Sequence, residues 1–319
     1  MTSTDTTQAP PASRPATVRR IGDTIFQTIS TTSGALILAI LAAVFTFLLA
    51  TGAPAIFEPL GSQAPDNYRE SAGGFWQYVA PLAFGTVWAS LLAMLIALPI
   101  GIGVALFISH FAPKRFAGPF GFVIDMLAAV PSVVFGLWGI IVLAPIAGPL
   151  YKWLHNYMGW FPLFSGNVVP SGRNLMTAAI VLAIMILPII TSLSREIFKQ
   201  TPRLHEEASL ALGATRWEMC QQAVFPYASS GVFASGILAL GRALGETMAV
   251  AMVLSGTGAV SFQVLTSQNP TTIAASIAQN FPEAHGMNSN TLIASGLVLF
   301  AITLLVNSIG RAIIARNKK

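Results

Sequence analysis

The chain has 319 residues, of which 54% are hydrophobic and only 9% charged, with a mean hydropathy of +0.69. A soluble domain carries roughly 25% charged residues, so this composition excludes one and describes an integral membrane protein. A net charge of +5 and a pI near 9.7 could mark a nucleic-acid binder, but the placement of the basic residues described below makes them a matter of membrane topology.

Residues 1–18 are rich in Thr, Ala and Pro without apolar periodicity and read as a disordered tail. The tail extends to residue 26, and a membrane domain is expected over 27–319. Six apolar runs are long enough for the roughly 20 residues that a membrane helix needs: 27–51, 79–109, 120–147, 175–194, 227–255 and 292–314. The first follows Arg19 and Arg20 and imitates a signal peptide with Ala53 and Ala55 at its end. It exceeds the roughly 7 to 15 apolar residues of such a segment and reads as a span. Continuous apolar runs, rather than alternation every second residue, make the fold all-α and exclude a barrel.

Gly and Pro recur inside the second, third and fourth runs. Pro99, Pro131 and Pro188 remove backbone donors, while Gly101, Gly103, Gly136 and Gly139 admit close neighbours. These residues suit either helix packing or the lining of a kinked pathway. Asp125 follows Lys114 and Arg115 in an otherwise apolar run and is expected to hydrogen-bond or pair near an interface. Trp76, Tyr78, Tyr151, Trp153, Tyr157 and Trp160 mark the connections on the other side as an aromatic belt. Thirteen of the 17 basic residues lie in the two tails and in the connections near 114 and 195–216. The opposite connections hold Arg69, Lys152 and Arg173, so the positive-inside rule places both termini in the cytoplasm.

Between the fourth and fifth runs, "TPRLHEEASLALGATRWEMCQQAVFP" (201–226) reads as two short helices. Thr201 is a suitable N-cap ahead of Pro202, and Glu206 and Glu207 favour the positive end of a helix. Gly213 stops that helix, and Thr215 with Glu218 has the spacing of a capping box for the next. The product is an amphipathic elbow with Leu204 and Leu212 beside its acids, suited to docking on another protein. Within the fifth run, "GRALGETMAV" (241–250) carries Arg242 and Glu246. On a continuous helix they share one face and neutralise each other, with Arg242 near the bilayer centre, where insertion costs roughly 2.5 to 3.5 kcal/mol. Lipid exposure is therefore excluded, and either a buried structural ion pair or a contact in a polar pathway remains. In the last connection, "TTIAASIAQNFPEAHG" forms a short helix ended by Pro282.

Glu207, Ala208, Ser209, then Gly213 and "AVFP" resemble the coupling-loop motif of binding-protein-dependent ABC importer permeases. Glu207, Ala208, Gly213 and Pro226 match in register, while Ser209, Ala223 and Phe225 depart from the motif. Together with "AAVPSVVFGLWG" (128–139) and "LGRALGETMAV", the chain from about 75 to 315 resembles the PstC group of permeases of bacterial phosphate-specific transporters. That resemblance implies a six-helix type I (MetI-like) importer permease fold with cytoplasmic coupling helices, in a bacterial inner membrane. It implies a PstA-like permease partner, a PstB-like ATPase dimer that carries ATP and Mg, and a PstS-like phosphate-binding protein outside. Glu206, Glu207, Ala208 and Gly213 would then meet the ATPase. Arg242, with Glu246 restraining it, would meet phosphate, which a guanidinium fork matches well.

The chain holds no phosphate-binding loop for ATP, no catalytic Ser/His/Asp set and no metal cluster in its sequence. The lone Cys220 excludes an intrachain disulfide, and the four histidines are far apart. No catalytic residue and no cofactor of its own are expected, and its surroundings are lipid and protein rather than nucleic acid. Two other readings stand beside an importer subunit for phosphate: a permease for another oxyanion, and a proton-coupled secondary carrier using Arg242, Glu246 and Asp125. A membrane scaffold that binds a sensor through the elbow is a third.

Overall fold

The computed structural model describes residues 21–57, 74–254 and 259–316, and no strand occurs among them. The disordered tail expected over 1–18 lies outside the described residues. The chain divides into two units at Phe47 and Leu48. The described part of the first unit is one helical stretch, the start of α1 (Ile21–Phe57); it carries polar residues as far as Ser33 and is apolar on nearly all sides from Ala35, as a helix in lipid is.

Six helices are long and apolar enough to cross a membrane: Gly22–Phe57, Phe75–Phe111, Ser132–Met158, Leu175–Lys199, Arg216–Leu244 and Met287–Arg316. The number matches the sequence reading, but two positions do not. The third span was expected at 120–147, whereas Lys114–Ala128 forms a separate helix, α3, and the span begins at Ser132. Pro131 causes the break, because it cannot continue a helix and it holds the chain extended at φ −59°, ψ 139°. The span then runs through α4 (Ser132–Trp138), a wide π-helical turn (Gly139–Leu143) and α5 (Ala144–Met158). The fifth span was expected to reach residue 255, and it stops at Leu244.

The core of the second unit is the contact between α2 (Phe75–Leu106) and α6 (Leu175–Lys199). Gly85, Ala89, Ala93, Ala97, Gly101 and Ala105 recur at every fourth residue of α2, and all are buried. On α6, Leu182, Ile186 and Ile190 recur at the same interval and fill the shallow face that those small residues leave. The fit is tight: a Cβ on Gly101 would lie 2.8 Å from Ile190 Cγ2. Thr191 Oγ1 donates to the Gly101 carbonyl at 3.3 Å beside it. Pro99 and Pro188 lie inside uninterrupted helices. Tyr151, expected in the interfacial belt, is instead a core residue whose hydroxyl meets Thr177 Oγ1 at 2.8 Å. Trp76, Trp153, Tyr157 and Trp160 are exposed as expected of a belt.

The elbow comprises α7 (Arg203–Ala211) and α8 (Arg216–Met219), and a π-helical turn (Cys220–Val224) leads into α9 (Phe225–Leu244). After α9 the chain makes α10 (Met248–Val253), an irregular stretch, α11 (Ile273–Asn280) and finally α12 (Met287–Arg316). The irregular stretch is held where backbone groups need partners. Val264 N donates to Leu163 O at 2.9 Å, and Met176 N donates to Val264 O at 3.0 Å. The Thr86 hydroxyl accepts from Ile273 N at 2.9 Å, so α2 caps the start of α11. Non-helical backbone at membrane depth is tolerated only with such satisfaction.

Gly85 lies under this stretch, where a Cβ would fall 2.5 Å from the Thr271 carbonyl and 2.9 Å from that of Pro270. Backbone cannot yield there, so Gly85→Ala should cost about 1 to 3 kcal/mol by overpacking. Gly103 on the same helix has no atom within 4 Å of a built Cβ, so Gly103→Ala should be neutral. Thermal unfolding midpoints of the purified protein in detergent test the contrast, and equal midpoints for the two variants would refute the packing described here.

Candidate functional site

The first candidate region is the elbow. Helix α7 starts at Arg203 because Pro202, at φ −62°, ψ 127°, ends the preceding turn. Thr201, the expected cap, is buried and its hydroxyl caps nothing. Gly213 has φ +88°, the left-handed conformation that ends a helix, and a Cβ there would meet nothing within 4 Å. The demand for glycine is thus conformational rather than steric. Thr215 and Glu218 make the capping box: Thr215 Oγ1 accepts from Glu218 N, and Glu218 Oε2 accepts from Thr215 N at 2.7 Å.

The elbow's residues divide into two groups. Glu207 and Ala208 are exposed, as are Leu204 at 78% and Leu212 at 90%. Two bare leucines beside an exposed carboxylate make a surface that another protein would cover. Glu206 turns the other way, with Oε1 3.4 Å from His110 Nε2 at the π-helical turn (Phe107–Phe111) that ends the second span. His110 Nδ1 lies 2.7 Å from Ser109 Oγ, and Ser209 Oγ donates to Gln222 Oε1 at 3.4 Å. The elbow therefore rests on both spans that flank it in space. The role of His110 has no signal in the sequence, because it lies 96 residues before Glu206.

Close by, the buried Arg195 of α6 reaches Asp125 of α3, with Nη2 to Oδ2 at 3.2 Å, and Glu196 at 3.1 Å. A Cβ on Gly121 would collide with the guanidinium, so α3 seats on α6 through this arginine. Asp125 is thus a pairing residue, one of the two roles expected for it.

The second candidate region is the break that ends α9. Arg242 is in the last turn of the helix, which stops at Leu244, and Glu246 lies beyond it. The single face that four-residue spacing would give them does not exist. Glu246 is 8% exposed, and its Oε1 accepts from Ala249 N at 3.1 Å, capping α10. A carboxylate at the start of a helix also meets the positive end of the helix dipole. Arg242 is exposed and makes no ion pair or hydrogen bond among the described residues. It shares an open stripe of α9 with Ala234 and Leu238, one residue per turn. Its depth follows from its neighbours. Gly236 and Leu240 line an apolar cavity of about 280 Å³ with Met94 and Leu98, and Met94 is at the middle of the Phe75–Phe111 span. Among the described residues no group of three His, Cys, Asp or Glu could hold a metal ion.

A family model described as "Binding-protein-dependent transport system inner membrane component" matches residues 97–319. The phosphate transport system permease protein PstC 2 of Mycobacterium tuberculosis is 40% identical over 311 residues, covering 94% of this chain and 93% of that protein. The phosphate transport system permease protein PstC of Mesorhizobium japonicum is 38% identical over 317 residues, covering 96% and 94%. Among solved structures, a chain of a bacterial alginate ABC transporter in complex with an alginate pentasaccharide-bound periplasmic protein matches with a TM-score of 0.62. The match covers 94% of this chain and 99% of that one at 15% identity, so it speaks for the fold alone.

The capping role of Glu246 has a direct test. Glu246→Gln keeps an oxygen that can accept from Ala249 N, whereas Glu246→Ala leaves that donor without its cap, at about 1 kcal/mol. The glutamine variant should therefore unfold near the wild-type temperature and the alanine variant lower. An alanine variant as stable as wild type would show that the cap is dispensable.

Proposed function

This chain belongs to the family of binding-protein-dependent transport system inner membrane components, and we propose that it forms half of the translocation pathway of an ATP-driven importer of inorganic phosphate. It has the type I ABC importer permease fold, and its relatives are permease subunits rather than catalysts. Membership of this family removes the secondary-carrier and scaffold readings. Phosphate is the cargo named for relatives that align along nearly the whole chain.

The observation in this chain that carries the mechanism is Arg242, an exposed cation near the level of the middle of the Phe75–Phe111 span, with no counter-charge among the described residues. A guanidinium presents a planar fork of donors matched to two phosphate oxygens. Phosphate crossing beside the open stripe of α9 would meet that fork, with Glu246 engaged in capping and thus unable to compete for it. The remainder of the pathway would come from a PstA-like permease. A PstB-like ATPase dimer, carrying ATP and Mg, would dock on Glu207, Ala208, Leu204 and Leu212, with Glu206 and Gly213 holding the elbow in shape. A PstS-like protein would deliver phosphate from outside.

Both termini would face the cytoplasm. A protease-sensitive tag after Lys319 should then be protected in intact cells and cleaved in inverted vesicles, and cleavage from outside would reverse the orientation. The decisive functional test is phosphate uptake into vesicles that contain the assembled complex, with and without ATP. Arg242→Lys should assemble yet transport at least tenfold more slowly, because an ammonium lacks the fork, and Arg242→Gln should be slower still. Normal uptake by the glutamine variant would refute contact between Arg242 and the anion.

A further inference from the structure

Helix α12 packs against α9 by close approach. Gly310 admits Ile237, and Asn307 Oδ1 lies 4.0 Å from where a Cβ on Gly241 would stand. Asn307 is therefore level with the residue that precedes Arg242, within the last apolar span. Its side chain is exposed and makes no hydrogen bond among the described residues. Three hydroxyl residues of α12, Thr291, Ser295 and Thr303, each return the hydroxyl to a carbonyl of their own helix, at 2.8 to 2.9 Å. The exposed Leu304 at 59% and Leu305 at 61% stand beside Asn307 on α12, and the exposed Arg311 follows one turn later on the same face. An amide left without partners in hydrocarbon costs several kcal/mol, roughly 2 to 7 on transfer scales. Lipid is thus an unfavourable surrounding for it, and a polar ligand is a favourable one.

Resting on the reading that Arg242 meets the transported anion, we propose that Asn307 is a second contact for that anion and donates its amide N–H groups to a tetrahedral oxyanion. The chemistry divides between the two residues. Arg242 supplies positive charge, and Asn307 supplies two neutral donors at the same depth. A second arginine would hold a multiply charged anion more tightly than passage allows, because a site in a pathway must also release its ligand. An amide adds geometric recognition without adding charge.

The test uses the full complex in vesicles, saturated with its phosphate-binding protein, with phosphate uptake and ATP hydrolysis measured together. Asn307→Leu preserves volume and removes the donors. It should lower phosphate transported per ATP hydrolysed by about tenfold, the worth of one hydrogen bond to a charged group, with complex yield and hydrolysis retained. Asn307→Asp should be lower again, since a carboxylate repels the anion. Asn307→Gln and Asn307→Ser, which keep a donor, should recover part of the loss. Unchanged transport per ATP in the leucine variant would overturn the proposal. So would a loss of yield in the leucine and aspartate variants with unchanged transport per assembled complex, because that is the behaviour of a packing residue. Absence of ATP-driven phosphate uptake in the wild-type complex would instead overturn the functional reading on which this inference rests.

Discussion

The fold of the second unit depends on one contact: the four-residue stripe of small side chains on α2 against the leucine and isoleucines of α6. In lipid an apolar surface gains little by leaving its surroundings, so helices associate by close packing and by hydrogen bonds rather than by hydrophobic burial. Ala89, Ala93, Ala97 and Gly101 supply the packing, and the Thr191 bond to the Gly101 carbonyl supplies a bond within it. Two helices fixed in this way become a frame on which less regular parts are mounted. Helix α6 begins at the Asn174 cap, where Thr177 N meets the Asn174 side chain, and leads at its other end into the elbow. Helix α2 caps α11 through Thr86 and meets the elbow through His110.

That arrangement makes α2 a physical link between the two ends of the subunit. Thr86 and His110 are 24 positions apart, a helical separation of about 36 Å at 1.5 Å per residue. The helix stays α-helical from Phe75 to Leu106 and loosens only in the π-helical turn that contains His110. The return of the chain into α9 passes through a second such turn, Cys220–Val224, whose Gln222 accepts from Ser209 of the elbow. Wide turns of this kind occur often at functional positions in helices. Here they occur at both places where the elbow meets a span. The elbow itself is stiffened locally, by the capping box and by the left-handed Gly213, so its displacement would act on the spans rather than be absorbed within it.

What the sequence made legible follows from the range of the interactions involved. The elbow was readable because Pro202, Gly213, Thr215 and Glu218 act over three or four residues, and each has a local conformational cause. Thr201 misled because Pro202 took the capping position itself. The number of spans was readable from hydropathy. The break at Ala129–Pro131 and the break after Leu244 were not, because both are flanked by apolar residues that keep a hydropathy run continuous. In the second case a signal was present: Glu246 stands three residues before Ala249, the spacing of a side-chain cap. The small-residue stripe of α2 was also written in the sequence, but only at an interval of four, so attention to glycine alone finds Gly101 and misses the alanines. The contacts of His110 with Glu206 and of Arg195 with Asp125 join residues 96 and 70 positions apart. No pattern in a single sequence reports such pairs.

The break after Leu244 changes the electrostatics of the site more than its shape. On an unbroken helix Arg242 and Glu246 would form a neutral pair and present little field to an anion. With the helix ended, Glu246 is committed to the amide of Ala249, and the guanidinium one turn below has no neutralising partner among the described residues. A charge in a low-dielectric region interacts more strongly than in water, so the same residue that is costly to place there is also the one that most favours an anion beside it. Among the described residues Arg242 has no partner that would meet that cost. What lies open to it is the face of α9 that carries Ala234 and Leu238. A guanidinium on such a face favours whatever polar group, water or anion comes to lie against it.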